Sequence, residues 1–230
     1  MTLSKEFITQ VEDWIADDPD ESTAELTRQT LQAATNGDAE AENKIKLWFG
    51  PFIEFGTAGL RGPIAPGPSC MNRAVVSRAA AGFVTYLKKQ NAKRIVVGFD
   101  ARHKSLDFAI DTVNIASGAG LEAILLPRAL PTPILAFAVN YFKADGAVMV
   151  TASHNPAADN GYKVFLGNGC QIVPPTDAEI SAEIAKINNV REIPVGEDWY
   201  TSDEAVIDAY LESCKNIVSS SVSRDIKIAS

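Results

Sequence analysis

The stretch Ala147-Val148-Met149-Val150-Thr151-Ala152-Ser153-His154-Asn155-Pro156 decides the fold, because an apolar segment runs directly into a small hydroxyl and then a turn. The apolar run is typical of a buried strand, and the Asn-Pro pair predicts a turn immediately behind the serine. In open α/β sheets, ligands bind at the carboxyl ends of the strands. The stretch therefore predicts that Ser153 lies at a ligand-binding edge, as a nucleophile or a phosphate carrier.

Strands and helices alternate from residue 51 onwards. Apolar segments at 94–99 and 123–126 are typical of buried strands, and amphipathic helical patterns lie between them. Such alternation favours an α/β architecture. Apolar runs on either side of Gly167-Asn168-Gly169 indicate a hairpin, so part of the sheet is antiparallel. We expect a three-layer α/β/α fold with a mixed, mostly parallel sheet.

The chain divides into three parts by pattern. Residues 1–50 are predicted to be a helical N-terminal extension, in which Ser22 and Glu25 form a capping box that starts the second helix. Residues 51–190 form the α/β domain. Residues 191–230 are predicted to hold a linker, a helix and the first strand of a second domain. Further predictions are a strand over 52–61 and helix starts at Ser105, Thr176 and Ser202.

Composition narrows the class of protein. The chain has 230 residues, of which 46% are hydrophobic and 22% charged, an ordinary balance for a packed globular domain. The net charge of −8 argues against nucleic acid or an anionic membrane as a partner. No secretory signal and no apolar run of about 20 residues is present, and the three cysteines show no metal spacing. These features predict a cytoplasmic protein without a disulfide framework.

Three chemical roles are open to Ser153 on the residues alone. A serine hydrolase is weakly supported, because Thr151 and Asn155 stand where the Gly-x-Ser-x-Gly elbow needs glycine. A phosphoserine would need cations close by. Lys163 follows across a short turn, and Arg61 lies in a glycine-flanked loop, so a phosphate carrier fits better. A non-catalytic phosphate-binding module is the third alternative.

Three strings together carry a family resemblance. They are Phe55-Gly56-Thr57-Ala58-Gly59-Leu60-Arg61-Gly62, Thr151-Ala152-Ser153-His154-Asn155-Pro156 and Asn160-Gly161-Tyr162-Lys163, in this order. The chain resembles the N-terminal domain of the α-D-phosphohexomutase superfamily, in the branch that holds phosphoglucomutases and phosphopentomutases.

The resemblance implies an activity and a set of residues. The family moves a phosphoryl group between the 1-position and a distal hydroxyl of a sugar phosphate, through a phosphoserine and a bisphosphorylated intermediate. Four residues would serve the chemistry: Ser153 as phosphoserine, His154 on the phosphoryl or substrate oxygens, Lys163 as general base or electrostatic partner, and Arg61 as the residue that steadies them. Four more are assigned to the substrate and phosphate loops: Thr57, Gly59, Asn155 and Asn160.

The resemblance also implies groups that this sequence does not supply. The family binds Mg²⁺ through an Asp-Gly-Asp-x-Asp-Arg loop that is absent here. Ser153, through its phosphate, would be one metal ligand, and the others are expected beyond Ser230. A glucose 1,6-bisphosphate-type activator and the remaining domains of the same chain are further implied partners. The expected reaction is of the glucose 1-phosphate to glucose 6-phosphate type, with phosphopentomutase or phosphomannomutase specificity as alternatives. We expect this N-terminal piece to be inactive alone as a mutase, because it would hold the phosphoserine loop but should not turn over.

Overall fold

A computed structural model describes residues 3–217, 219, 221, 222 and 225. Helices within them are α1 (Lys5–Asp17), α2 (Glu21–Thr35), α3 (Ala39–Trp48), α4 (Arg73–Lys89), α5 (Ser105–Gly118), α6 (Thr132–Tyr141), α7 (Thr176–Ile184) and α8 (Ala205–Lys215). Strands are β1 (Leu60–Pro63), β2 (Arg94–Phe99), β3 (Glu122–Leu125), β4 (Gly146–Val150), β5 (Asp159–Leu166) and β6 (Trp199–Thr201).

The strands form one sheet in the order β1-β5-β4-β2-β3-β6. Strands β4, β2, β3 and β6 run parallel to one another, while β5 is antiparallel to both β4 and β1. The prediction of a mixed, mostly parallel sheet is confirmed. In the register of β2 with β4, Phe99 lies opposite Val150. The loops that follow these two strands, starting at Asp100 and Thr151, therefore leave the sheet at the same edge.

Both faces of the sheet are covered, which gives the three predicted layers. Alternate side chains of a strand point to opposite faces, and in β2 the buried Ile95 and Val97 enter one core while Val96 enters the other. The first core also receives α4, α5 and Ile180 of α7, and the second receives α6 and α8. The central strands β2 and β4 are buried on both sides, which fixes the position of their carboxyl ends. The loop 151–158, which carries Ser153 and is called the serine loop below, starts at the carboxyl end of β4.

Three helices, α1, α2 and α3, precede the sheet, and α2 starts earlier than the capping-box pattern indicates. Asp20 is the N-cap, and its Oδ1 accepts hydrogen bonds from the backbone N–H of Ser22 at 3.0 Å and from the Ser22 hydroxyl at 2.6 Å. The carboxylate two residues upstream therefore replaces the predicted serine cap.

The other predicted helix starts are also displaced. Ser105 is the first residue of α5 rather than its cap, and its hydroxyl donates to Asp100 Oδ1 at 2.7 Å. Thr176 is likewise the first residue of α7, whose cap position is held by Pro175 without a side-chain hydrogen bond. Helix α8 starts at Ala205 rather than at Ser202. In each case the polar side chain is engaged elsewhere or lies outside the cap position.

The strand predicted over 52–61 is mostly absent. Gly56 and Gly59 pair with each other through two backbone hydrogen bonds, of 3.2 and 2.8 Å, so the chain makes a tight turn there. Only Leu60–Pro63 then joins the sheet as β1. The predicted hairpin at 167–169 is present as a turn, in which the Leu166 N–H donates to the Cys170 carbonyl.

Residues after 190 extend the same sheet. β6, in the segment predicted as a linker, pairs in parallel with β3, and α8 packs on α6 through the rings of Tyr210 and Phe137, whose centroids are 5.6 Å apart. The strand predicted over 225–230 lies outside the described residues apart from Asp225. Among the described helices, none combines the length and apolar character needed to cross a membrane.

Candidate active site

Ser153 lies just past the end of β4 in an unusual backbone conformation. Its φ is +57°, in the left-handed region that non-glycine residues seldom occupy. Its backbone N–H donates to the Thr151 hydroxyl at 3.1 Å, and the N–H of the buried Thr151 donates to the Gly161 carbonyl at 3.1 Å. A non-glycine residue held in this region costs on the order of 1 kcal/mol or more and requires support from its surroundings. The strand end therefore presents the Ser153 side chain, which is exposed.

Arg102 supplies much of that support. Its Nη2 donates to the carbonyls of Ser153 (2.8 Å) and Asn155 (2.9 Å), and its Nη1 donates to those of Pro156 (2.8 Å) and Asp159 (3.2 Å). The sequence indicates only that Arg102 helps to order its own turn. Because fifty residues separate Arg102 from the serine loop, no local pattern links the two.

Arg61 reaches the serine loop through Asn155. Arg61 Nη1 donates to Asn155 Oδ1 at 3.2 Å, and Asn155 Nδ2 donates to Asp159 Oδ2 at 2.8 Å. Arg61 is brought there by β1, in which it lies opposite Gly161 of β5. Two residues that were predicted separately for the site, Arg61 and Asn155, are therefore hydrogen-bonded to each other.

Lys163 lies on the same face of the sheet as Arg61. Residues 161 and 163 of a strand share a face, and Arg61 is paired with Gly161. The Lys163 side chain is partly buried, and this burial lowers the pKa of its ammonium. The charge of Arg61 lowers that pKa further, while the Asp100 carboxylate opposes the change. The structure thus places three predicted residues near the carboxyl end of β4: Ser153, Arg61 and Lys163.

The glycine-rich loop before β1 is pinned against β5. Gly59 has φ +75°, and a Cβ atom there would lie 1.8 Å from the Tyr162 carbonyl oxygen, so only glycine fits. The Thr57 carbonyl accepts a hydrogen bond of 2.7 Å from Gln171 Nε2. The exposed Thr57 side chain has no hydrogen-bond partner among the described residues, so its backbone fixes the loop.

Asn160 and His154 lie on opposite sides of the serine loop. The buried Asn160 amide donates to the His103 carbonyl at 2.8 Å and to the Ser105 hydroxyl at 3.0 Å, and its Oδ1 accepts from the Gly161 N–H. The structure therefore places Asn160 beneath the loop rather than in contact with solvent. His154 is exposed and directly follows Ser153 in the chain.

The described residues do not form a magnesium site. No group of three or more His, Cys, Asp or Glu side chains within them is placed to hold a metal ion. Mg²⁺ prefers near-octahedral coordination by oxygen, and the carboxylate nearest in the loop, Asp159, is bonded to Asn155. We therefore assign no chemical step to a metal from these residues. The role of the Ser153 phosphate as one ligand stays a prediction.

The comparison with protein families decides the assignment. The model of phosphoglucomutase/phosphomannomutase, alpha/beta/alpha domain I, matches residues 53–191. The chain belongs to this family.

Individual members of the phosphoglucomutase/phosphomannomutase family agree with this assignment. A protein of Haemophilus influenzae named "Probable phosphomannomutase" is 49% identical over 147 residues, which cover 61% of this chain and 30% of that protein. Human phosphopentomutase is 37% identical over 206 residues, covering 83% of this chain and 32% of that protein. A solved structure from Thermus thermophilus, described as a candidate phosphomannomutase, superposes with a TM-score of 0.66 at 32% identity, covering 74% of this chain and 37% of that one. The chain thus spans about a third of the length of these relatives.

Proposed function

We propose that this chain is the phosphoserine-bearing part of a phosphosugar mutase, an isomerase that moves a phosphoryl group between the 1-position and a distal hydroxyl of a sugar phosphate. The observation that carries the proposal is the exposed Ser153 at the carboxyl end of β4, with Lys163 on the neighbouring strand β5 and Arg61 on β1 beyond it. Membership of the phosphoglucomutase/phosphomannomutase family supports it. We further propose that residues 51–190 are the phosphoserine domain.

The proposed transfer starts from phosphorylated Ser153. A sugar hydroxyl oxygen attacks the phosphorus, the bond between phosphorus and Ser153 Oγ breaks, and the serine returns to its hydroxyl form. Neutral Lys163 accepts the proton of the sugar hydroxyl. Lys163 then donates a proton to the departing Ser153 Oγ. A lowered pKa favours this role, because it makes the neutral amine of Lys163 available closer to physiological pH.

Charge neutralisation is the other requirement. A phosphoserine carries about −1.5 to −2 charges, and phosphoryl transfer depends mainly on positioning and electrostatic stabilisation. Arg61, fixed by Asn155, and the side chain of His154 would contact the phosphoryl oxygens. Thr57 and Gly59 would hold the glycine loop beside them.

The substrate is proposed to be a hexose phosphate, in a glucose 1-phosphate to glucose 6-phosphate reaction. Relatives named phosphomannomutase, phosphoglucomutase and phosphopentomutase support the class of sugar phosphate, and the last name keeps a pentose phosphate as the alternative. A glucose 1,6-bisphosphate-type activator would load Ser153. We also propose Mg²⁺ as the cofactor, the remaining domains of the same chain as partners, and a cytoplasmic location.

Covalent labelling separates this proposal from the two other roles of Ser153. The chain is incubated in parallel with glucose 1,6-bisphosphate and with a fluorophosphonate, and its intact mass is measured. A mutase domain accepts a phosphoryl group from the sugar bisphosphate and does not react with the fluorophosphonate. A fluorophosphonate adduct would indicate a serine hydrolase, and binding without any adduct would indicate a phosphate-binding module; either result would reject the proposal.

A further inference from the structure

Arg102 binds one loop at four points. Its two terminal nitrogens donate to the carbonyls of residues 153, 155, 156 and 159, at 2.8–3.2 Å. Arg102 is outside the set of residues to which the proposed function gives a role, which are Ser153, His154, Lys163, Arg61, Asn155, Thr57 and Gly59. Its own side chain is only 16% exposed, so it lies behind the loop rather than in front of it.

Holding the carbonyls from behind orients the amides towards the front. In a planar trans peptide the C=O and the following N–H point in opposite directions. When the Ser153 carbonyl points at Arg102, the His154 N–H points away from it, and the Pro156 carbonyl orients the Ala157 N–H in the same way. Within the described part of the chain, neither N–H donates to an acceptor. Both His154 and Ala157 are exposed.

The contribution of Arg102 is orientation more than charge. Asp100 Oδ2 lies 3.4 Å from Arg102 Nε, and its negative charge offsets that of the guanidinium. Asp100 Oδ1 accepts from the Arg102 N–H at 3.0 Å, which fixes where the side chain starts. Only the planar fork of arginine offers enough donors in fixed directions to hold four carbonyls, since the three donors of a lysine ammonium lie at one point.

We propose that Arg102 is a positioning residue for the phosphoryl transfer: it holds the serine-loop carbonyls inward so that the N–H groups of His154 and Ala157 face the phosphoryl group on Ser153. This inference rests on the proposed function for the presence of that phosphoryl group. The N–H groups of Ser153 and Asn155 are bonded within the loop, to the Thr151 hydroxyl and the Ala152 carbonyl, so they do not compete for that phosphoryl group.

The test is a titration of the ¹⁵N-labelled chain with inorganic phosphate, followed through the amide signals of His154 and Ala157. In the unmodified chain both signals shift downfield and saturate. In Arg102→Lys we expect phosphate to bind at least about tenfold more weakly at these amides, the cost of about one hydrogen bond to a charged group. Arg94→Lys is the matched control, because Arg94 also binds a carbonyl and a carboxylate but lies at the opposite end of β2.

Two results would overturn the inference: no response of the His154 and Ala157 amides in the unmodified chain, or binding by Arg102→Lys within twofold of the control. Amide signals outside the loop report whether a variant is folded, and Arg102→Gln replaces Arg102→Lys if the latter does not fold. Phosphoryl uptake from glucose 1,6-bisphosphate is measured separately. A chain that takes up no phosphoryl group, yet loses its amide response in Arg102→Lys, would reject the proposed function and keep only the orientation of the His154 and Ala157 amides by Arg102.

Discussion

At the scale of single residues, the account depends on how a hydroxyl, an amine and a guanidinium share one edge of a sheet. Ser153 is exposed, Lys163 is partly buried, and Arg61 is held by Asn155. Burial and the charge of Arg61 both disfavour the ammonium form of Lys163 and so lower its pKa. The surroundings of Lys163 therefore suit a proton acceptor.

The pH dependence of phosphoryl transfer tests this role of Lys163. The measurement is the rate at which chain phosphorylated on Ser153 passes its phosphoryl group to glucose 1-phosphate. Lysine accepts a proton only when neutral, so this rate is expected to rise with pH through the lowered pKa of Lys163. Arg61→Gln removes a positive charge, which raises the pKa of Lys163 and moves that rise to higher pH.

Arg94→Gln is the control for this pH profile, because Arg94 is paired with Glu122 and lies at the end of β2 opposite to the serine loop. Its profile should match that of the unmodified chain. A rate that falls as pH rises through the same region would contradict the role of Lys163 as a base and would indicate that the ammonium form acts.

Sequence motifs locate the residues that we propose to face the substrate better than the residues that support them. Ser153, Arg61 and Lys163 stand in recognisable strings, because the chemistry constrains their neighbours. Arg102 does not stand in such a string, because its hydrogen-bond acceptors are backbone carbonyls, which every residue type has. Asn160 was predicted in the phosphate loops because it adjoins Lys163 in the motif, while its buried amide bonds beneath the loop.

At the scale of elements, the pairing of β1 with β5 brings Arg61 to the serine loop. The turn at Gly56–Gly59 sets where β1 starts, and Gly59 lies so close to β5 that a Cβ would meet the Tyr162 carbonyl oxygen. The position of Arg61 therefore depends on a residue without a side chain.

Replacement of Gly59 by alanine tests this close approach, with Gly37→Ala as the control. Both glycines have positive φ, of +75° and +94°, but no atom lies within 4 Å of a Cβ at Gly37. Gly37→Ala should cost about 1 kcal/mol of unfolding free energy for the left-handed conformation. Gly59→Ala should cost about 1–3 kcal/mol more, because the backbone of β5 must move. Urea unfolding measures both, and equal losses would contradict the close approach.

Helix and strand types follow from sequence periodicity, while their ends depend on competition between neighbouring groups. The apolar patterns of β2 and β4 decide their type, since both are buried on two faces. The start of α2 was misplaced because the Asp20 carboxylate accepts the hydrogen bonds expected of the Ser22 hydroxyl. The predicted strand over 52–61 is too long because the chain turns at Gly56–Gly59. Only Leu60–Pro63 pairs with β5, a strand that is remote in sequence.

At the scale of the whole molecule, one carboxylate joins the helical extension to the sheet domain. Asp17, at the end of α1, accepts hydrogen bonds from the N–H groups of Val190 (2.7 Å) and Arg191 (3.1 Å), and from Arg78 of α4 (3.0 Å). Arg191 returns the contact by donating to the Ala16 carbonyl at 2.8 Å. The extension is thereby tied to two separate parts of the domain.

Asp17→Ala tests this tie. Loss of a partly buried charged acceptor with three donors should lower the free energy of unfolding by about 2–3 kcal/mol. Asp13→Ala, an exposed position on the same helix, should change it by less than about 0.5 kcal/mol. Urea unfolding with the two variants side by side measures the difference, and equal stabilities would mean that other contacts hold the extension.

The architecture of the molecule was predictable from the alternation of strands and helices, but the outer strand β6 was not. β6 has three residues, too few for a periodic pattern, and the segment 190–198 before it shows none. It joins the sheet because β3 leaves its outer edge open to a parallel partner. Such pairing is decided by tertiary structure.

The proposed function requires that a sugar bisphosphate phosphorylates Ser153. The chain is incubated with glucose 1,6-bisphosphate, its intact mass is recorded, and the modified residue is located by peptide mass spectrometry. We predict one phosphoryl group, on Ser153, in the unmodified chain and in the control Ser213→Ala, and none in Ser153→Ala. A chain that gains no phosphoryl group, or that gains one in Ser153→Ala, would contradict the account.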